Sequence, residues 1–250
     1  MQMSAVAARA GSLARAVVRT IYPPSCMTCD ARTDAEGAFC AECWQEAPFI
    51  RGLACDACGM ALPGEDVGPV RCDQCRIAPR DWERGRAVFT YGGRARQIAL
   101  RLKHGDRLEL AGPAGEWMAA ACADIVGPDT IAVPVPLHPV RYWKRRYNQA
   151  ALLAARLAAV SGVAHCPDAL IRTRRTPSLK GLSPDARADT LGGAIAPHPS
   201  RGARMSGRDV LLVDDVLTTG ATLGACARAA IESGARRVDV CVLARAGRET

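Results

Sequence analysis

The stretch Val210-Leu211-Leu212-Val213-Asp214-Asp215-Val216-Leu217-Thr218-Thr219-Gly220-Ala221-Thr222 decides how this chain reads. Its four leading apolar residues carry a central strand to its carboxyl end, the side on which open α/β sheets bind ligands. Two acids follow at once, and Thr-Thr-Gly-Ala-Thr then turns tightly into a helix N-terminus. That turn offers consecutive backbone N–H groups, three hydroxyls and the positive end of a helix dipole, which together suit a phosphate monoester. The acids cannot bind the phosphate; they accept hydrogen bonds from sugar hydroxyls or help to hold Mg²⁺. A vicinal diol carrying a 5-phosphate fits both halves. The spacing is neither a Walker A loop nor a G-x-G-x-x-G turn. An Asp-rich loop that merely caps a strand is the plain alternative, and it gives adjacent acids before a phosphate turn no purpose.

The flanking sequence extends this reading. Residues 221–234 are patterned as a helix with Gly234 at its C-terminal cap, and 237–245 as a final strand. Strand, helix and strand at this spacing make a βαβ unit of a parallel sheet. Upstream, 87–91 reads as a strand, 94–103 and 109–123 as helices, and 130–136 as a short buried strand stopped by proline. Residues 149–160 form an Ala/Leu helix ended by Ser161-Gly162. Residues 172–209 interrupt this pattern with four prolines, seven arginines and one lysine. A basic insertion of that length inside a compact domain is a functional loop or lid.

Cysteine is concentrated elsewhere. Eight of the twelve lie between positions 26 and 75, as the C-x-x-C pairs Cys26/Cys29, Cys40/Cys43, Cys55/Cys58 and Cys72/Cys75. Each knuckle points two thiolates at one cation, and two knuckles complete a tetrahedral S4 site. The intervening loops are rich in Gly, Pro and Asp, and the segment has too few large apolar side chains to hold together by burial alone. The pattern predicts two structural zinc ions, with 26/29 paired to 40/43 and 55/58 to 72/75; interleaved pairing stays open. Closed S4 sites leave no position for substrate. A disulfide scaffold is disfavoured, because no secretory signal is visible and thiols stay reduced in the cytosol, so a cytoplasmic protein is expected. The stretch 76–85 reads as a linker. The expected domains are therefore an N-terminal amphipathic helix over 1–22, a double zinc ribbon over 23–78 and an α/β domain over 84–250.

Composition sets the outer limits. The chain has 250 residues, 49% apolar and 23% charged, as an ordinary globular protein has. No apolar run is long enough to span a membrane. Residues 1–22 carry arginine but no acid; they dock on the protein's own body or lie on a membrane surface, and their Ala and Val give little depth for a bilayer. Residues 1–82 hold eight Lys/Arg against ten Asp/Glu, a net −2, whereas 83–250 hold twenty-five against fifteen, a net +10. The surplus predicts an anionic partner for the C-terminal part. Within it, Arg141-Tyr142-Trp143-Lys144-Arg145-Arg146-Tyr147-Asn148-Gln149 interleaves cations with aromatics, as single-stranded nucleic-acid surfaces do. The same stretch follows a strand and precedes a helix, where a pyrophosphate loop also belongs.

VLLVDDVLTTGATL resembles the ribose-phosphate motif of type I phosphoribosyltransferases. Together with VPVPLHPVRYWKRRYNQA, the basic insertion, and a four-knuckle cysteine module opening on YPPSC, the chain from about 21 to 245 resembles the ComF family. The resemblance implies a double zinc ribbon joined to a type I phosphoribosyltransferase-like parallel sheet flanked by helices. It implies that Asp214 and Asp215 hold the ribose hydroxyls of phosphoribosyl pyrophosphate, and that Thr218, Thr219, Gly220, Ala221 and Thr222 cradle the 5-phosphate. Arg141 would bind the pyrophosphate bound with Mg²⁺, Lys103 would reach it too, and the basic insertion with Arg187 would form a hood over the acceptor. The chain departs from the family where R-G-F-N-Q becomes Arg145-Arg146-Tyr147-Asn148-Gln149, and where a hood Gln and Asn become Leu179 and Thr190.

Three functions follow. The first is a phosphoribosyltransferase, with displacement at the anomeric carbon and no side chain that announces itself as the base. The second, implied by the resemblance, is a factor for single-stranded DNA uptake in natural transformation, working with the uptake machinery and keeping the sugar-phosphate site for binding or regulation. The third is a non-catalytic zinc-ribbon adaptor, against which the intact acid pair and turn argue.

Overall fold

A computed structural model describes residues 23–65, 68–104, 107–138, 142–143, 146–174 and 193–247. The N-terminal helix expected over 1–22, the two arginines Arg141 and Arg187, and most of the expected hood lie outside them. The chain divides into two compact units, Met1–Ala47 and Pro48–Thr250.

The described part of the first unit is built on its four cysteines. The Cys26 amide donates to the Ala31 carbonyl at 2.7 Å and Met27 to Ala38 at 3.1 Å, closing a small hairpin. Helix α1 (Ala41–Glu46) starts directly after Cys40, which brings Cys43 round to the buried side. Phe39 and Trp44 meet edge to face at 6.3 Å. Little else apolar is available, as metal-held ribbons require.

The second unit is built on five parallel strands. They are β1 (Gly85–Thr90), β2 (Thr130–Pro134), β3 (Ala164–His165), β6 (Asp209–Leu217) and β7 (Arg237–Arg245), in the order β1-β7-β6-β2-β3. Strands β4 (Leu170–Arg172) and β5 (Ile195–Pro197) form a separate antiparallel ribbon at the base of the basic insertion. The helices are α2 (Asp73–Ile77), α3 (Gly93–His104), α4 (Ala111–Ala121), α5 (Gln149–Ser161) and α6 (Ala221–Glu232). The helices and strands predicted between 87 and 245 are present within a few residues. Asn148 caps α5, its Oδ1 accepting from the Ala150 amide at 3.0 Å, and Gly162 ends it at φ +70°. Among the described residues no helix is long and apolar enough to cross a membrane.

The topology places the site. From β2 the chain moves outward to β3, and from β6 it moves the other way to β7, so the winding reverses between β2 and β6. The crevice beyond the carboxyl ends of those two strands is where an open α/β sheet takes its ligand. On one face of the sheet, Ile131, Val133, Val210, Leu212, Val238 and Val240 pack with α6. On the other face Cys241, offset by one residue from that set, donates its thiol to the Met118 carbonyl of α4 at 3.5 Å.

Residues 76–85 are not a linker. Trp82 is 5% exposed, and its indole N–H donates to the Ala57 carbonyl inside the Cys55–Cys58 knuckle at 2.7 Å. Cys55, Cys58, Cys72 and Cys75 belong to the same core cluster as β6 and α6. Asp56 accepts from Arg84 at 3.1 Å and from Arg86 at 2.9 Å, tying the ribbon to β1. Pro and Gly at the ends of 76–85 suggested an open joint; the buried tryptophan between them is what closes it. At the outer edge of β1, Ile50 donates to the Val88 carbonyl and Thr90 to the Pro48 carbonyl, both at 2.9 Å.

Candidate functional site

Strand β6 delivers Asp214 and Asp215 one and two residues beyond Val213, the register partner of the last residue of β2. Asp215 is 4% exposed, and its backbone N–H donates to Oδ1 of Asp214 at 2.8 Å. Lys103 of α3 reaches across and places Nζ 3.1 Å from Oδ2 of Asp215. That oxygen is buried and has no aligned hydrogen-bond donor, so the contact is charge pairing at hydrogen-bond distance. Burial first, and the charge of Asp215 second, push the Asp214 carboxyl far above the usual carboxylate range; the Asp215 amide and Lys103 pull weakly the other way. Burial and the neighbouring charge thus both favour the neutral form of Asp214 when nothing is bound. Hydroxyl donors or a dication set against it would relieve that strain, and the carboxylate oxygens suit a hard cation such as Mg²⁺.

The turn follows immediately. Thr218 and Thr219 are exposed, and Gly220 takes φ +90° to start α6. A side chain at 220 would meet Arg80 and Trp82 at 2.9 Å, so glycine is required both by conformation and by space. The Gly224 amide donates to the Gly220 carbonyl at 2.7 Å, closing the first helical turn over Ala221 and Thr222. The preceding N–H groups of a helix have no partner within it and aim at the turn.

The loop after β2 borders the same crevice, since the Val135 amide extends the β2–β6 pairing by donating to Val213 at 2.9 Å. A cavity of about 550 Å³ opens there, lined by Pro136, Leu137, Tyr142, Arg146, Tyr147 and Asn148 and by β4. The Tyr147 hydroxyl donates to the Leu102 carbonyl at 2.5 Å, joining this stretch to the residue beside Lys103. Asn148 donates to the Val135 carbonyl at 2.9 Å. Arg146, where the family pattern has glycine, keeps a glycine-like φ of +65°. The turn survives the exchange, at about 1–2 kcal/mol of backbone cost, with a cation at its corner.

The eight knuckle cysteines form two clusters, Cys26/Cys29/Cys40/Cys43 and Cys55/Cys58/Cys72/Cys75, with ligand atoms within 4.8 Å of one another in each. This is the sequential pairing. Sulfur separations are 3.6 Å for Cys29–Cys40 and 3.8 Å for Cys58–Cys72. Four sulfurs about 2.3 Å from a central zinc lie about 3.8 Å apart, so both donor sets fit the ion. Asp30 and Gly59, each following the second cysteine of its knuckle, share the same left-handed turn at φ +63° and +68°. In the buried cluster, hydrogen bonding with Cys58 first and burial second push the Cys55 thiol up to about 12, a cost that a bound dication removes.

Two residues were not singled out from sequence. Arg80 donates Nη1 to the Thr219 carbonyl at 2.6 Å and Nε to Cys75 Sγ at 3.3 Å. Arg245, 2% exposed, donates to the Leu217 and Thr218 carbonyls at 3.2 and 2.9 Å. Arg80 sits in the supposed linker and Arg245 at the end of a hydrophobic strand, where no motif marks either.

Comparison with known proteins agrees with this architecture. The Double zinc ribbon domain family matches residues 17–76, and the Phosphoribosyl transferase domain family matches 150–250. The class is a double zinc ribbon followed by a phosphoribosyltransferase-type domain. DNA utilization protein YhgH of Escherichia coli O6:H1 is 30% identical over 82% of this chain and 89% of its own. Competence protein ComFC of Bacillus subtilis is 29% identical over 78% of each chain, and Competence protein F of Haemophilus influenzae 36% identical over 46% of this chain and 49% of its own. The chain belongs to the ComF family. Among solved structures, a purine phosphoribosyltransferase from Pyrococcus horikoshii matches 54% of this chain and 72% of its own, with 16% identity and a TM-score of 0.34.

Proposed function

We propose that this protein binds phosphoribosyl pyrophosphate and acts as a phosphoribosyltransferase. The observation that carries the reading is the Asp214–Asp215 pair at the switch point, with Asp215 buried and Asp214 half-buried, set directly before the Gly220 turn and faced by Lys103. The acids accept the ribose 2- and 3-hydroxyls, and the turn from Thr218 to Thr222 takes the 5-phosphate. In the reaction the bond from the anomeric carbon to the pyrophosphate oxygen breaks, and a bond to the acceptor nucleophile forms. Positive charge grows on the sugar in the transition state, where the acids favour it, and negative charge grows on the leaving group, where Lys103 and Arg141 favour it. Bound Mg²⁺ supplies further neutralisation of that leaving group.

Isothermal titration with phosphoribosyl pyrophosphate and Mg²⁺ tests the reading. Wild type binds, and Asp214→Asn/Asp215→Asn loses at least about tenfold in affinity, the worth of one hydrogen bond to a charged group. No binding by wild type, or equal binding by the variant, overturns it.

A second function is compatible with the first. Trp143 is 84% exposed and Tyr142 52%, beside Arg146, and relatives of this chain are named for DNA utilization and competence. Aromatics exposed among cations suit the stacking of single-stranded bases. On this reading the protein handles single-stranded DNA during uptake, and loss of affinity in Trp143→Ala is its test.

A further inference from the structure

The second cysteine cluster and the sugar-phosphate turn are joined by the segment that sequence reading passed over. Three consecutive residues make the joint. The Arg80 guanidinium spans the gap between Cys75 Sγ, at 3.3 Å, and the Thr219 carbonyl, at 2.6 Å. It lies over the ring of Trp82, 5.6 Å from its centroid, and Trp82 is fixed in turn to the Ala57 carbonyl of the Cys55–Cys58 knuckle. Asp81, between them, accepts from Arg228 of α6 at 2.6 Å and presses on Gly224, where a Cβ would meet it at 2.4 Å. Residues 80–82 thus clamp the first two turns of α6 and the loop that starts it.

Arg245 holds the start of the same loop. It is buried, and it fixes the carbonyls of Leu217 and Thr218, the residues that lead into the turn. Arg80 therefore touches both a sulfur of the cluster and a carbonyl of the loop, while Arg245 holds the two carbonyls before it. Guanidinium–thiolate contacts of this kind orient metal ligands, and the same rigid forks hold the carbonyls on their other side.

We propose that Arg80 is a positioning residue that braces the 217–220 loop against the second cysteine cluster, so that zinc in that cluster sets the loop's capacity to hold a phosphate. The inference rests on the sugar-phosphate reading of the loop. Zinc fixes Cys75; Arg80, fixed to that sulfur, holds the carbonyl of Thr219; the N–H on the far side of that peptide then stays aimed at the ligand. Without zinc the sulfurs separate, the Arg80 strut loses one end, and the turn loosens. The second ribbon is in this way part of the ligand site, although no cysteine touches the ligand.

Hydrogen exchange of the 217–222 amides in the full chain tests the brace independently of the ligand. Arg80→Ala is expected to keep both zinc ions and melt near wild type, while these amides exchange about tenfold faster and ribose 5-phosphate binds about tenfold more weakly, the loss of one charged hydrogen bond. Arg80→Lys, which keeps the charge but only one of the two contacts, falls between. A Cys29→Ser/Cys43→Ser chain carries zinc only in the second cluster, and stripping that ion with a chelator speeds exchange of the same amides by a similar factor. Wild-type exchange in Arg80→Ala, or exchange unmoved by stripping, overturns the proposal. If wild type binds no phosphoribosyl pyrophosphate, the functional reading fails, and the exchange measurements still decide whether the brace exists.

Discussion

Asp214 shows what the site costs the fold. Its carboxyl is pushed up to about 8 by burial and by Asp215, whereas in the unfolded chain it titrates near its ordinary value. Between those two values the unfolded state has released a proton that the native state keeps. Stability therefore falls as pH rises across that window and levels off above the folded value. Asp214→Asn removes the penalty. The variant is expected to be more stable than wild type by about 1–2 kcal/mol at pH 8, the gain of a typical stabilising substitution, with the difference shrinking towards pH 4. Denaturant titrations at the two pH values check this, and an equal or lower stability at pH 8 contradicts it. At this scale the acid pair and the turn could be read from sequence, because chemistry-bearing types are adjacent in the chain. Arg80 and Arg245 could not: the first is 139 residues from the carbonyl it holds, and only the fold makes them neighbours.

Among the elements, β2, α5, β6, α6 and β7 were legible because apolar period and caps agree, as at Asn148 and Gly162. The joint at 76–85 was misread because Pro and Gly punctuate both linkers and close approaches. Its buried Trp82 was the available signal, since a large aromatic has little reason to lie in an exposed linker. Gly59 carries a similar double meaning. It sits at φ +68° after the knuckle, and a Cβ there would meet the Ala87 amide of β1 at 2.7 Å. That contact is with backbone, which cannot swing aside. Gly59→Ala is expected to destabilise the second unit by at least about 1–3 kcal/mol, the cost of strain at such a position, and to weaken zinc retention in the second cluster. Thermal melting and metal content after dilution into chelator measure both. The first knuckle offers a contrast, because Asp30 already bears a side chain at the matching position.

Over the whole molecule, charge and topology divide the work. The net +10 of residues 83–250 against −2 for 1–82 predicts that anion binding belongs to the second part of the chain. Single-stranded DNA should bind with an affinity that falls steeply with salt, and Trp143→Ala should lower affinity while leaving that slope unchanged, because stacking releases no counterions. Affinity unaffected by Trp143→Ala counts against a role for that stretch. The sheet has a separate consequence, for association. At one margin β1 is already occupied, with Pro48 and Ile50 hydrogen-bonded to Val88 and Thr90; at the other, β3 is only two residues long. Among the described residues, neither margin of the five-stranded sheet offers a long run of free amides and carbonyls on which a second copy could zip. Strand addition at either described margin of the five-stranded sheet is disfavoured, so contacts made there have to use side-chain surfaces.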